Sequence, residues 1–443
     1  MHHVDHCLCN EKYTDQRSNP PSLSSRSRNP LWSSTSAMSP AVAAVLSCVA
    51  YAACAQLDSI ARIPVENTYL LPRPFNNTFT RPFIDTDISD EAVFQQIQVA
   101  QSTAFISYSA EFDEILGSSP TVELIANSSK PFAFEGGIWV PELNRIWMTA
   151  FLNPPPGYLS VLDLNTSTVF QPELTGPAAD ILVNPNGGYY FDGIVYLTSF
   201  GNETTSPAIV SIDPHTYETK EVINSFYGLP LNGPDDVTLT TSNTTGETCM
   251  FFSDFYFAAE GLVGTCNAPQ QLPNAVWRFM PLEQSLQMII SPLDIQTPNG
   301  LAVNREGTLL YVSDGPDSAV FGRSYNTTSS TTPSAGLYVF DLAGADGCTP
   351  QNKRMLGIAR QGFANGIKVD DAGRIWTFEY EGIVVRSPTG KVLGLINVYA
   401  ILGRESSDVA PGANFALVRD EVYLLGFSEV WRVGLGEVVK SWY

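Results

Sequence analysis

The chain has 443 residues, of which 16% are charged and 11% aromatic, with a formal net charge of −21. This is a globular composition, not a disordered one, and so large an acid excess excludes a phosphate-backbone binder, which needs a basic stripe. The same excess suits solubility in an acidic extracellular medium and can concentrate a metal cation by its field.

Residues 1–37 are polar, rich in His, Ser, Pro and Arg, and patternless. Residues Ala41 to Ala55, "AVAAVLSCVAYAACA", form an uncharged small-residue run ending in Ala53-Cys54-Ala55. That pattern predicts a secretory signal peptide over residues 38–55, with Gln56 as the new first residue. The run is short for a bilayer span, so no membrane anchor is expected. Met38 reads as the true start and residues 1–37 as an extension foreign to the native chain; residues 56–443 form the mature domain.

Secretion agrees with six N-x-Ser/Thr sequons, at Asn76, Asn127, Asn165, Asn202, Asn243 and Asn326. Three cysteines remain in the mature part, Cys249, Cys266 and Cys348. They allow three pairings; Cys249–Cys266, which closes a short loop, is the expected disulfide, with Cys348 the odd thiol. A C-x-x-C zinc pattern is absent.

From about Phe132 the chain is a run of short strands with turn punctuation and no amphipathic helix. One strand-turn-strand unit opens "FEGGIWVPELNRIWMTAFL" and the next "GGYYFDGIVYLTSFG". "GPDDVTLTTSNTTGETCMFFSDF", "TPNGLAVNREGTLLY", "FANGIKVDDAGRIW" and "ANFALVRDEVYLLGF" open the rest, which makes six. Extra length sits in Ser/Thr/Gly-rich stretches such as Gly322 to Ala335, and Asp-Pro or Asp-Gly marks many bends. Packing such sheets radially buries both faces and leaves short edges. The expectation is therefore an all-β, six-bladed β-propeller; a β-sandwich would not predict six similar units in tandem. The strand-like "TAFISYSAEF" (Thr103 to Phe112) precedes the first unit and would close the ring by pairing into the last blade.

The inner strand of each blade lines the central channel. Glu135, the Asp235-Asp236 pair, Asn299 and Asn365 open such strands. Two carboxylates and two amide carbonyls aimed at one axis describe a site for a divalent cation, most simply Ca²⁺, completed by waters. Zinc would want His or Cys, and the mature chain has one histidine, His215, in the outer turn "DPHTYE". Asparagine supplies oxygen without charge, and the glycine after it lets the backbone approach closely.

These motifs resemble the SMP-30/gluconolactonase family, in particular its secreted fungal lactonohydrolase-like members. "FEGGIWVPELNRIW" is similar to the family's Glu-Gly-Pro-x-Trp opening, and "GPDDVTLTT…CMFFSDFYF" to its Pro-Asn-Asp and Phe-Thr-Asp-Pro segment. "TPNGLAVNREGTLLYVSD" is close to Pro-Asn-Gly-Leu-Ala…Leu-Tyr-Val-Ser-Asp, and "FANGIKVDDAGRIW" to Pro-Asp-Gly-x-x-Val-Asp-x-x-Gly-x-x-Trp. The resemblance covers about residues 130–435. It implies that Glu135, Asp235, Asn299 and Asn365 are the metal ligands, with Asp at 235 and Asn at 365 exchanged relative to the family's usual Asn and Asp. The exchange keeps two negative charges but removes the usual base at 365.

The resemblance further implies a calcium-dependent lactonase whose partner is a small-molecule lactone. The cation would polarise the carbonyl while a carboxylate activates water. Asp235 is the first candidate for that base and Asp236 the second; Asp254 and Asp314 lie further off in their motifs. Trp139, Phe200, Tyr256 and Tyr380 could wall an apolar pocket, and Glu379 and Glu381 could reach a polyhydroxylated ligand. Three other readings stay open: a scaffold propeller with structural calcium, a phosphotriesterase-like hydrolase and a strictosidine-synthase-like propeller. Nothing in the sequence sets the oligomeric state.

Overall fold

The computed structural model describes residues 59–150, 158–256, 270–315, 335–405 and 410–439. Residues 1–37 and the expected signal peptide lie outside them. Six sheets of four or more strands follow one another along the chain, antiparallel except for the outermost pair of the fifth, where Ile60–Arg62 runs parallel to Phe105–Ser107. Their inner strands are Glu135–Val140, Pro185–Phe191, Pro234–Thr241, Pro298–Val303, Ile367–Val369 and Phe415–Val418. These strands pack side by side around one axis, and the sheets form a six-bladed β-propeller.

The core is six apolar wedges, one between each pair of neighbouring blades. Val140, Trp147, Val195 and Val210 fill the seam between blades one and two. Phe252 and Trp277 pack with Ile209 between two and three, and Phe251, Leu310 and Phe340 between three and four. Tyr311 and Ile375 join blades four and five, Trp376 and Phe415 join five and six, and Trp139 with Tyr423 joins six and one. A strand covered on both faces has no solvent side. The runs "IWMTA" and "VYLLG" are therefore almost continuously apolar instead of alternating.

Ring closure differs from the sequence expectation. Thr121–Asn127 pairs antiparallel with Glu429–Gly434 and completes blade six, whereas Phe105–Ser107 joins the outer strand of blade five, Val392–Ile396. Phe105–Ser107 is wholly buried and so reads as the stronger strand. Thr121–Asn127 is an outer edge with Thr121, Glu123, Leu124 and Asn127 exposed, so its apolar signal is weak. Two helices that strand periodicity does not announce precede the ring. Helix α1 (Glu91–Gln101) is capped by Asp90, whose carboxylate accepts the Val93 N–H at 3.1 Å. Helix α2 (Ala110–Leu116) is capped by Ser109, whose hydroxyl accepts the Phe112 N–H at 3.2 Å. Beyond Phe132, among the described residues, the one-turn helix Val398–Leu402 is the exception to the all-strand expectation.

The disulfide expectation is corrected. Cys249 bonds Cys348, with Cα atoms 6.4 Å apart; Cys266 lies outside the described residues. Cys249 sits on the second strand of blade three, Thr248–Asp254, and Cys348 in the turn before the outer strand of blade four, Thr349–Ile358. Both are fully buried in the same inter-blade wedge, so radial packing brings together residues that a short-loop argument keeps apart. Arg278 of blade three crosses the same seam to Asp346 at 2.5 Å. The bond closes a loop of 99 residues, for which chain entropy gives a stabilisation of about 4–5 kcal/mol. Cys348→Ala is expected to lower unfolding free energy by about 2–5 kcal/mol, measured by denaturant titration; an unchanged midpoint would contradict a structural bond.

Candidate active site

The inner strands of blades one to four begin with the same device. Ladder register slips between Gly136 and Ile138, Pro185 and Gly188, Pro234 and Val237, and Pro298 and Leu301. Such a bulge releases residues from pairing and re-aims their side chains, here at the heads of blades one to four. The heads are then fastened sideways. Thr149 of blade one donates its hydroxyl to the Asn186 carbonyl at 2.6 Å, and Thr198 of blade two donates to the Asp235 carbonyl at 2.8 Å. Ser253 of blade three donates to the Asn299 carbonyl at 2.6 Å. Where the next head presses on it, the residue after a head must be small. A Cβ at Gly300 would collide with the Asn365 carbonyl oxygen, and one at Gly187 with Asp235 and Asp236.

Glu135, Asp235, Asn299 and Asn365 all line one cavity of about 130 Å³, and all four heads reach it from different blades. Glu379 and Tyr380 line it too, with Phe134, Phe363, Phe378, Ala410 and Gly412. Trp139 does not. Its ring is buried in the wedge between blades six and one, with the Arg419 guanidinium over it. Tyr256 is also outside the lining, its ring edge-on to Phe255, and Phe200 is wholly buried. Glu381 is turned away from the cavity, accepting the Phe83 N–H and facing Arg360. Asp254 accepts the N–H groups of Asn232 and Gly233 at 3.1 and 2.8 Å, and Asp314 that of Thr297 at 2.9 Å. Those two acids fix the chain entering an inner strand. His215 is exposed in its turn.

Two further heads escape the sequence reading. Asn186 of blade two donates its amide N–H to Asp235 Oδ1 at 2.6 Å, and Asn414 of blade six donates to Glu135 Oε2 at 3.0 Å. Each amide thus orients one of the acids. "PNGG" at Pro185 repeats the "PNG" at Pro298 and could have revealed Asn186. Asn414, in "GANF", lacks the following glycine that marks the others.

The electrostatics are severe. Burial first, then the Asp236 carboxylate, pushes Glu135 up to about 8. Burial, with Glu135 and Asp236 nearby, holds Asp235 well above the usual carboxylate range. Asp236 rises to about 6 through burial, restrained by Lys368. It faces the other side of the head ring, where it shares a small second cavity with Lys368. The Lys368 ammonium donates to the Gly136 carbonyl at 3.2 Å. Asp236 is therefore separated from the aromatic-walled cavity that Asp235 lines. The Asn299 side-chain oxygen, on the cavity floor, is a buried acceptor with no hydrogen-bond partner, as is that of Asn186 outside the lining, so the floor is electron-rich and underfilled.

A closed ring of six blades with acid and amide oxygens gathered on its axis defines a β-propeller with an axial oxygen-donor centre. Residues 232–401 match the family model described as the SMP-30/Gluconolactonase/LRE-like region. The chain is 25% identical to the lactonohydrolase oryL of Aspergillus oryzae, over 81% of this chain and 78% of that protein. It is also 25% identical to the gluconolactonase of Zymomonas mobilis, over 66% and 76% of the two chains. The structure of a gluconolactonase from Xanthomonas campestris superposes with a TM-score of 0.55 at 18% identity, covering 75% of this chain and 94% of that one, a likeness of fold. The family likeness thus lies in residues 232–401, and the two relatives extend a 25% identity over most of the chain.

The buried acids predict a pH signature for the cation-free protein. Glu135 holds its proton to about 8 when folded and to about 4.5 when unfolded. Between those values the unfolded chain binds fewer protons, so stability falls as pH rises across that window. In a chelator, the denaturation midpoint at pH 5 is expected to exceed that at pH 8; a flat or rising profile would contradict the acid cluster.

Proposed function

We propose that the chain is a secreted, divalent-cation-dependent lactone hydrolase, with Ca²⁺ as the cation. The observation that carries the reading is the cavity floor, where Glu135, Asp235, Asn299 and Asn365 meet from four blades and the buried Asn299 oxygen lacks a partner. Among the described residues no three His, Cys, Asp or Glu stand together as a metal cluster; the proposed donor set is half amide. A mixed carboxylate and amide set suits a hard cation. The reaction class comes from the relatives, named lactonohydrolase and gluconolactonase.

When bound, the cation would polarise the lactone carbonyl and offset the negative charge that develops on its oxygen. The protein's own part is proton management. An amide at 365 cannot take a proton, so the base moves to blade three. Asp235, oriented by Asn186 and made more basic than an ordinary carboxylate by burial and the neighbouring acids, accepts the proton of the attacking water as the water oxygen bonds to the carbonyl carbon. The bond from that carbon to the ring oxygen then breaks, and Asp235 returns the proton to the departing oxygen. The product is an open hydroxy acid and the carboxyl is regenerated.

A pH-indicator assay over a panel of lactones is expected to show turnover with Ca²⁺ and none in excess chelator. Asp235→Asn keeps an oxygen donor but loses the proton acceptor. It is expected to reduce kcat at least about 100-fold while calorimetry still detects calcium binding. Full activity in that variant would remove Asp235 as the base. Calcium-dependent stability without turnover of any lactone would favour a scaffold.

The extracellular part of the proposal rests on the run at 41–55 and the sequons. Asn76, Asn127, Asn165 and Asn243 are exposed and Asn202 is half-buried; Asn326 lies outside the described residues. N-terminal sequencing of secreted material is expected to begin at Gln56, and a start upstream of Met38 would overturn the leader assignment.

A further inference from the structure

We infer that the lactone this cavity takes carries an apolar substituent and is not a polyhydroxylated sugar lactone, an inference that rests on the hydrolase reading above. The cavity divides cleanly by chemistry. Among the described lining residues its polar groups are the four heads on the floor, Glu379 and the Tyr380 hydroxyl. Glu379 is neutralised within blade five: its Oε1 is held by Arg386 at 2.5 Å and by the Thr377 hydroxyl at 2.7 Å, all three residues buried. The remaining described walls are Phe134, Phe363, Phe378, Tyr380, Ala410 and Gly412. A sugar lactone brings a hydroxyl on nearly every ring carbon, and each one buried against these walls would lose its water partners without replacement. An alkyl or aryl group gains by the same contact.

The aromatic wall is fixed in advance. Phe134 stacks on Phe427 of blade six with ring centres 4.2 Å apart. The Phe363 and Tyr380 rings lie 5.9 Å apart, and Gly362, at a φ of +66°, leaves the space the Tyr380 ring occupies. Behind this pair the N-terminal segment acts as a buttress. Phe79 packs into the cluster of Ala335, Ala359, Phe363 and Tyr380. The Gln361 amide donates to the Thr80 carbonyl at 2.6 Å, and the Arg360 guanidinium donates to the Arg81 carbonyl. Tyr380 is thus a specificity-determining residue and Phe79 a positioning residue for it.

Two unreactive lactams matched in ring size test the inference on the full mature chain in saturating Ca²⁺, by calorimetry. One is 6-pentylpiperidin-2-one and the other gluconolactam; turnover of δ-decalactone and glucono-1,5-lactone is measured in parallel. The pentyl lactam is expected to bind at least about tenfold more tightly, with δ-decalactone preferred by a similar factor in kcat/KM. Tyr380→Ala is expected to remove most of that preference, the pentyl lactam losing far more affinity than gluconolactam. Phe79→Ala, outside the cavity, gives the same test through the buttress if the first variant does not fold. Gluconolactam binding as tightly as the pentyl lactam would overturn the inference. A pentyl preference in binding with no lactone opened would leave it standing and overturn the hydrolase reading instead.

Discussion

Glu135, Asp235 and Asp236 hold their carboxyl groups close together in the interior of the ring, with the Lys368 ammonium beside them. Three like charges in a poorly polarisable interior repel one another strongly. The fold nevertheless prevents them from splaying apart. The Thr198 hydroxyl pins the Asp235 carbonyl from the neighbouring blade, and the wedges behind each strand are fully packed. Taking three carboxylates against one ammonium leaves two negative charges, the charge that one divalent cation balances. Lys368 answers Asp236 on one side of the head ring and leaves Glu135 and Asp235 facing the other. The arrangement separates an internally neutralised pair from a pair open to the cavity.

Much of this was legible in the sequence because the repeating unit is both a structural and a chemical one. The next head crowds the residue after this one, Asn365 against Gly300 and Asn414 against Gly366, so Asn-Gly at 299 and 365 marks the fold and the site together. Legibility failed where a residue does one job without the other's mark. Asn414 is followed by Phe415 and carries no glycine signal. Asn186 has the signal but stands just ahead of the strand run "GGYYF" that announces its blade. Lys368 belongs to an inner strand whose apolar neighbours, Ile367 and Val369, point to core. Its own position in the channel follows only once the ring is closed.

Tertiary neighbours decided the rest. Trp139 stands four residues after Glu135 in a motif that faces the channel, yet the register slip after Gly136 turns it into the wedge shared with blade six. Cys249 and Cys348 are 99 residues apart, and only radial stacking makes the ends of two blades adjacent. The N-terminal segment was the least readable part. Beside the apolar packing of Ile84, Ile97 and Ile106 on Val384 and Leu395, its polar contacts with blade five run through backbone groups, as with Thr80, Arg81 and Phe83, and backbone partners leave no trace in side-chain pattern.

The composite sixth blade has a consequence for synthesis. The strand at Thr121–Asn127 is among the early parts of the chain to be made, while its partner, Glu429–Gly434, lies roughly three hundred residues further on. Until the ribosome has delivered that partner, the earlier segment is a bare template for any extended peptide. Its sparse apolar content and the charge of Glu123, which finally meets Arg432, make it a poor one. The polarity that hides this clasp from a sequence reader also guards it while it waits.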